Sequence, residues 1–259
     1  MNIVIIGAGA FGTALGQILV ENGHSVKYYD PFLLKNSLQD TLQDAELVVL
    51  AVPSAAVDET LPKLPKDVPL VVTTKGILNY EIFKNFKDVM VLSGPGFADD
   101  IKAHKHTFLT ISDKRLDKLF GTDYITFDYS DDPKGMLLCG ALKNVYAILA
   151  GLSGFEPDSF EYNDYLTHAT REMYDLLKAN GADPETVWLA CGKSDLILTC
   201  SPPSRNFEFG QKIRKNPNSR PEKTVEGFTI LKKIRAGELI VPDSAKLLKG
   251  LVERSAKWD

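Results

Sequence analysis

Read for its alternation of apolar and polar positions, the chain changes character once, near residue 132. Before that point short apolar runs recur at 2–6, 26–29, 46–52, 70–74, 89–93, 107–112 and 124–130. Each has the length of a buried strand, and the intervals between the early ones hold crossovers long enough for parallel pairing. Between the first two, Phe11, Ala14, Leu15, Ile18 and Leu19 fall at helical spacing instead. The pattern predicts an α/β fold, a doubly wound, mainly parallel sheet over 1–132 followed by a smaller all-α domain over 133–259.

The second half opens on 136–152, where nearly every side chain is aliphatic, small or aromatic. A helix apolar on every face is a buried helix. Only Lys143 and Asn144 interrupt it. One reading has Lys143 snorkel, its stem on apolar surface and its ammonium in water. The other keeps the ammonium buried, where it must find partners or shift its pKa downward, and makes it a candidate acid/base. An amphipathic helix over 162–180 follows, closed by Gly181, and Asp183-Pro184-Glu185-Thr186 starts a third. His168 and Glu172 share a face of the second helix at i, i+4, spacing open to a metal but better read as a structural histidine.

The first strand runs into Gly7-Ala-Gly9-Ala10-Phe11-Gly12 and then a helix. In the dinucleotide fingerprint Gly7 makes the tight turn, Gly9 lets backbone approach a pyrophosphate and Gly12 allows close packing, with the helix N-terminus facing the phosphates. The second strand ends at Asp30, about 20 residues on, where a carboxylate can accept from a ribose 2′-OH and would repel a 2′-phosphate. This predicts a Rossmann-type domain and favours NAD over NADP; a solvated Asp at the Pro31 turn is the other reading of Asp30. Ligands of such sheets bind beyond the carboxyl ends of strands. Those ends carry Thr74-Lys75-Gly76 and Ser93-Gly94-Pro95-Gly96. Lys75 is therefore expected at a crevice, against the alternative of a loop lysine in solvent.

A net charge of −4 gives no general attraction to nucleic acid or to an anionic membrane, so any bound anion must meet a local basic cluster. The one apolar stretch long enough to span a bilayer contains Lys143 and Asn144, which points to a soluble protein. The first residues show no basic lead before an apolar core and no cleavage-site pattern, and three cysteines without zinc spacing suit reduced thiols, so the expected location is cytoplasmic. No metal site is expected. Downstream, Asp195 heads Leu-Ile-Leu-Thr199, as a helix cap or a buried acid, and Ser204-Arg205-Asn206 offers a fork of donors suited to a phosphate or simply a polar surface.

Together the motifs resemble the NAD(P)-dependent glycerol-3-phosphate dehydrogenases. The likeness spans nearly the whole length, through Gly-Ala-Gly-Ala-Phe-Gly from Gly7, Ala51-Val-Pro-Ser, Thr74-Lys-Gly, Leu92-Ser-Gly-Pro-Gly-Phe-Ala98, Gly140-Ala-Leu-Lys-Asn-Val, Gly181-Ala-Asp-Pro-Glu-Thr, Asp195-Leu-Ile-Leu-Thr-Cys, Ser204-Arg-Asn and Val225-Glu-Gly. The resemblance implies that Lys143 is the catalytic lysine, with Lys75 and Asp195 beside it. It implies cofactor contacts from Gly7, Gly9, Ala10, Phe11, Gly12, Asp30, Lys75, Ala98, Arg205 and Glu226, the cofactor being NAD with NADP admissible. Substrate contacts are implied for Lys75, Gly94, Gly96, Lys143, Asn144, Asp195, Thr199, Ser204, Arg205 and Asn206. The reaction implied is hydride transfer between a nicotinamide and C2 of dihydroxyacetone phosphate, supplying glycerol 3-phosphate for phospholipids.

The chain departs from the family pattern in three places. Gly96 stands where the family usually has a serine, leaving only backbone N–H there; the connection 31–45 is short, as is the helical domain; and Ser194 replaces a glycine. The assembly expected is a monomer or a homodimer, with a small phosphorylated substrate and no nucleic-acid or membrane partner. Two other readings stay open: a superfamily reductase of another hydroxy acid or phosphorylated ketone, and a non-catalytic dinucleotide sensor.

Overall fold

The computed structural model describes residues 1–221 and 225–258, which divide into two compact units, 1–74 with 80–133 and 75–79 with 134–258. The first unit is built on strands β1 (Asn2–Ile6), β2 (Ser25–Tyr29), β3 (Leu47–Leu50), β4 (Leu70–Val72), β5 (Val89–Ser93), β6 (Thr107–Ile111) and β7 (Ile125–Tyr129). They form one sheet in the order β2-β1-β3-β4-β5-β6-β7. The strands run close to the expected ones, with the third and fourth trimmed at their ends. Strands β1 to β5 pair in parallel; β6 runs antiparallel to β5, and β7 pairs in parallel with β6. The last two strands therefore oppose the first five, a reversal that apolar runs of equal length cannot signal.

Helix α1 (Ala10–Glu21) follows β1 and buries Gly12, Ala14, Leu15, Gly16, Ile18 and Leu19. Ala14, Leu15, Ile18 and Leu19 join Ile3, Ile5 and Val49 in a core cluster of the sheet unit. The fit is close at Gly16, where a β-carbon would fall 1.9 Å from the Tyr28 hydroxyl. The other helices of this unit are short: α2 (Leu38–Leu42), α3 (Val57–Thr60), α4 (Ala98–Lys102) and α5 (Arg115–Phe120). Because β1 lies between β2 and β3, the chain reverses its winding beside the loop that follows β1, which is where open sheets of this kind receive ligands.

The second unit is helical, with α6 (Pro133–Ser153), α7 (Phe160–Ala179), α8 (Asp195–Thr199), α9 (Arg205–Lys215), α10 (Glu226–Arg235) and α11 (Lys246–Ser255). The third helix expected from Asp183 is instead a 3-10 turn, Pro184–Trp188, whose Asp183 side chain accepts from Glu185 N–H. Proline at its first position and an Asp cap start a helix, but the chain turns away after five residues. Helix α6 is buried without interruption from Gly135 to Gly151. It has the length and apolarity of a membrane span, yet 89% of its apolar window lies inside the fold.

Helices α9 and α10 approach α6 through glycine. A β-carbon at Gly151 would lie 2.0 Å from the Phe207 carbonyl oxygen, one at Gly210 2.1 Å from that of Ile148, and one at Gly227 2.4 Å from that of Asn144. Across α6 the buried Glu172 carboxylate of α7 accepts from the Tyr146 hydroxyl (2.9 Å) and from the N–H groups of Leu247 (2.6 Å) and Leu248 (3.1 Å) at the start of α11. A buried carboxylate needs such donors. His168, one turn earlier on α7, is exposed and lies 3.6 Å from Asp164, so the two residues spaced for a metal point to different surroundings.

Candidate active site

In the sheet unit the glycine loop is made by backbone. Gly7 sits at φ +107°, a conformation L side chains rarely adopt, and its amide donates to the Tyr29 carbonyl at 2.8 Å. A β-carbon at Gly12 would fall 2.1 Å from the Gly7 carbonyl oxygen, so Gly12 is what lets α1 begin directly against the turn. Gly9 differs from both. It caps α1 in an extended conformation with no side-chain hydrogen bond, and a β-carbon there meets nothing within 4 Å. The space in front of the first turn, with Ala10 and Phe11, is thus left open at a positive helix end, which fits the phosphates of a dinucleotide.

Asp30 closes the same site from the end of β2. One carboxylate oxygen accepts from Ala8 N–H at 3.0 Å, and the other from the N–H groups of Phe32 and Leu33, each at 2.9 Å. Burial raises its pKa, but the three backbone donors outweigh that and hold it below the usual carboxylate value. The carboxylate is therefore charged and fixed beside the glycine loop, as a ribose acceptor must be.

Beyond β5, Gly94 has φ +143° and a β-carbon there would lie 3.0 Å from the Leu109 Cα, so backbone geometry demands glycine. Gly96 is different: its β-carbon would touch only side chains, at 3.3 Å from Thr107 and 3.4 Å from Ile101. The fold does not impose glycine at this position. Ala98 is the first residue of α4 and is half-buried.

In the helical unit the polar interruption of α6 is a buried ionic cluster. Lys143 is 4% exposed and Asp195 1%, which excludes snorkelling. Lys143 Nζ donates to Asp195 Oδ1 at 2.5 Å and to Thr199 Oγ1 at 3.0 Å, and Lys75 Nζ reaches Asp195 Oδ2 at 3.0 Å. Asp195 and Thr199 stand one turn apart on α8, so one helix face presents both acceptors. Asp195 is the first residue of α8 rather than its cap, and a π-helical turn, Ala190–Ser194, leads into it. Such turns frequently mark functional sites.

Lys75 groups with the helical unit, through the segment Lys75–Asn79 that leaves the sheet after β4. Burial, opposed by Asp195 and reinforced by the Lys75 ammonium, pushes the Lys143 pKa down to about 7. An amine so placed can both give and take a proton near neutrality.

Asn144, next on α6, turns to a different set. Its side-chain N–H donates to the Gly140 carbonyl at 3.0 Å, and its Oδ1 accepts from Asn206 Nδ2 at 2.9 Å. Asn206 Oδ1 in turn accepts from Gly227 N–H at 2.9 Å. This buried relay ties α6, α9 and the start of α10 together, so both amides, expected as substrate ligands, also position the elements around Lys143. Ser204 caps α9 by accepting from Phe207 N–H. Arg205, first on that helix, is exposed and has no hydrogen-bond or ionic partner among the described residues. Glu226 begins α10 and is half-buried.

Sequence reasoning missed the Asn144–Asn206–Gly227 relay, the Ala8 contact of Asp30 and the Glu172 clamp. Their partners are far apart in the chain, and nothing local marks them. Among the described residues no three His, Cys, Asp or Glu side chains group for a metal.

The family models and the sequence relatives agree on one family. A model of the NAD-dependent glycerol-3-phosphate dehydrogenase N-terminus matches residues 30–118, and one of its C-terminus matches 132–240. A glycerol-3-phosphate dehydrogenase [NAD(P)+] of Pseudomonas entomophila is 32% identical over 96% of this chain and 88% of its own length. The chain belongs to the NAD-dependent glycerol-3-phosphate dehydrogenase family. The relative from Neorickettsia sennetsu is 30% identical over 82% of this chain and 78% of its own. Among solved structures, the glycerol-3-phosphate dehydrogenase of Coxiella burnetii superposes with a TM-score of 0.83, covering 97% of each chain at 23% identity, and shows the same fold.

Proposed function

We propose that this glycerol-3-phosphate dehydrogenase family member interconverts dihydroxyacetone phosphate and sn-glycerol 3-phosphate, with residues 1–132 binding the dinucleotide and 133–259 supplying the catalytic groups. The observation that carries the chemistry is the buried Lys143 amine, held by Asp195 and Thr199 with a pKa brought near 7. The family relationship supports the substrate, and the relatives named above bear that activity in their names.

The dinucleotide is assigned to Gly7, Gly9, Ala10, Phe11, Gly12, Asp30 and Ala98, with Lys75, Arg205 and Glu226 completing it. When bound, the nicotinamide supplies the hydride or takes it up. Protonated Lys143 gives its Nζ proton to the C2 oxygen of the ketone during reduction, and neutral Lys143 removes the hydroxyl proton during oxidation. Asp195 favours the charged amine and Lys75 the neutral one, so the pair tunes the balance. Thr199 holds Nζ in place, while Arg205, with a guanidinium not engaged by protein among the described residues, takes the substrate phosphate together with Ser204, Asn144 and Asn206. Gly94 and Gly96 face substrate through backbone alone. Asp30 favours NAD over NADP. The site of action is the cytoplasm, and the product feeds phospholipid synthesis.

A steady-state assay of NADH and NADPH oxidation over dihydroxyacetone phosphate, ketopantoate and simple 2-keto acids tests this. Turnover of dihydroxyacetone phosphate, faster with NADH, is expected. Preference for ketopantoate would assign the site to a sibling reductase, and dinucleotide binding without turnover of any ketone would make it a sensor.

A further inference from the structure

Helices α6 and α9 carry the lysine cluster and the Arg205 end, and both run on to a second concavity. Leu152 lies on α6 roughly 13 Å along the axis from Lys143, at 1.5 Å rise per residue. Ile213 and Arg214 stand near the far end of α9, and Arg254, Lys257 and Trp258 come from the end of α11 and the 3-10 turn Ala256–Trp258. These residues enclose a cavity of about 350 Å³ that opens to solvent. That volume lies within the range of small-molecule sites. No residue assigned to the dinucleotide or the substrate lines it.

The floor is apolar and fixed. Ile213 and Trp258 are buried, and the Trp258 ring stands edge-on to Phe209 with centroids 6.3 Å apart. The rim is cationic, with Arg214, Arg254 and Lys257 all exposed and no carboxylate among the described residues that line it. None of the three has an ionic or hydrogen-bond partner among the described residues. This convergence occurs on a chain whose net charge is −4.

Helix C-termini attract cations. That accounts for Arg214 in the last turn of α9 and Arg254 in the last turn of α11 one at a time, but not for their meeting Lys257 over one aromatic floor. The fold also makes room for one of them. Gly154 has φ +71°, and a β-carbon there would lie 1.6 Å from Arg214 Nη1, so the guanidinium rests where any other residue would place a side chain.

We infer that this concavity binds an organic phosphate, its dianionic head held by Arg214, Arg254 and Lys257 and its compact apolar body lying on Ile213, Leu152 and Trp258. Guanidinium groups take phosphate oxygens in pairs, and an indole offers a flat apolar surface. The inference does not depend on the reaction proposed for Lys143.

The test uses the full chain carrying Trp188→Phe, which leaves Trp258 as the only tryptophan of the two in the sequence. Phenyl phosphate is titrated against its fluorescence. A saturable change is expected, weakened roughly tenfold or more by Arg214→Ala or Arg254→Ala, less by Lys257→Ala, and unaltered by Arg205→Ala. Inorganic phosphate should bind roughly tenfold more weakly, since it leaves the apolar floor bare.

Four outcomes overturn the proposal. They are no saturable signal, affinity lost in Arg205→Ala but kept in Arg254→Ala, equal affinity for inorganic phosphate, and binding to phosphatidylglycerol vesicles with no response to phenyl phosphate. The second would place the ligand in the candidate active site, so it also separates this proposal from the one above.

Discussion

The glycine loop after β1 and the lysine cluster of α6 solve opposite problems. The loop, as the proposed anion site, is built with almost no side chains: conformation at Gly7, clearance at Gly12 and open space at Gly9 come from one run of six residues. The cluster is all side chain. Lys75 stands 120 residues from Asp195 in sequence, and Lys143 stands 52 from it. A neutral backbone site tolerates water and stays polar without cost. A buried amine and carboxylate hold their charge only while each keeps its partners. The first site should therefore fail sterically when changed, and the second electrostatically.

The sharpest way to break that comparison is Lys143→Met. Loss of a proton donor predicts a fall of roughly 10³-fold in turnover. The dissociation constant for NADH, measured by fluorescence titration, should change little. Equal turnover in the variant would remove Lys143 from the chemistry.

The two glycines that end and begin the turn separate fold from binding. Gly12→Ala drives a β-carbon to 2.1 Å from a backbone oxygen, so it should cost about 3 kcal/mol or more in denaturant unfolding. Gly9→Ala meets no protein atom and should leave unfolding within about 0.5 kcal/mol of the parent. Its effect belongs in NADH affinity, weakened roughly tenfold where the added methyl meets the pyrophosphate. Equal stability loss in both would mean that Gly9 also serves the fold.

The smallest effects are shifts of pH profile. With the Lys143 pKa at about 7, kcat/KM for ketone reduction needs the protonated amine and falls as pH rises through that value, whereas oxidation needs the neutral amine and rises. Lys75→Met removes a like charge and should move both limbs to higher pH. Asp195→Asn removes the opposite charge and should move them lower. Shifts in the same direction would show that the two neighbours do not act on Lys143 through charge.

The same contrast explains what could be read from the chain unaided. The glycine turn, the strand that feeds it and the acid at Asp30 are local, so spacing alone marks them. Lys143 was legible because a polar pair in a helix apolar on every face is out of place. Asp195 was not, since heading an apolar run reads equally as a helix cap until its partner is known. The amides of Asn144 and Asn206 suggest a ligand by residue type, and only coordinates reveal that they first satisfy each other and Gly227. The reversal of β6 and β7 left no trace either: β6 is mostly buried and β7 mostly is not, and neither pattern records which way the strand runs.

The Ala8 contact of Asp30 bears on any attempt to re-engineer nucleotide choice. The carboxylate proposed to disfavour an extra phosphate is also the acceptor that holds the Ala8 amide of the loop. Alanine there would leave the Ala8, Phe32 and Leu33 N–H groups without their acceptor, and asparagine, with one acceptor oxygen and an NH2 donor, serves Ala8 or the Phe32–Leu33 pair but not both, so any exchange made to alter nucleotide choice is expected to loosen the turn as well.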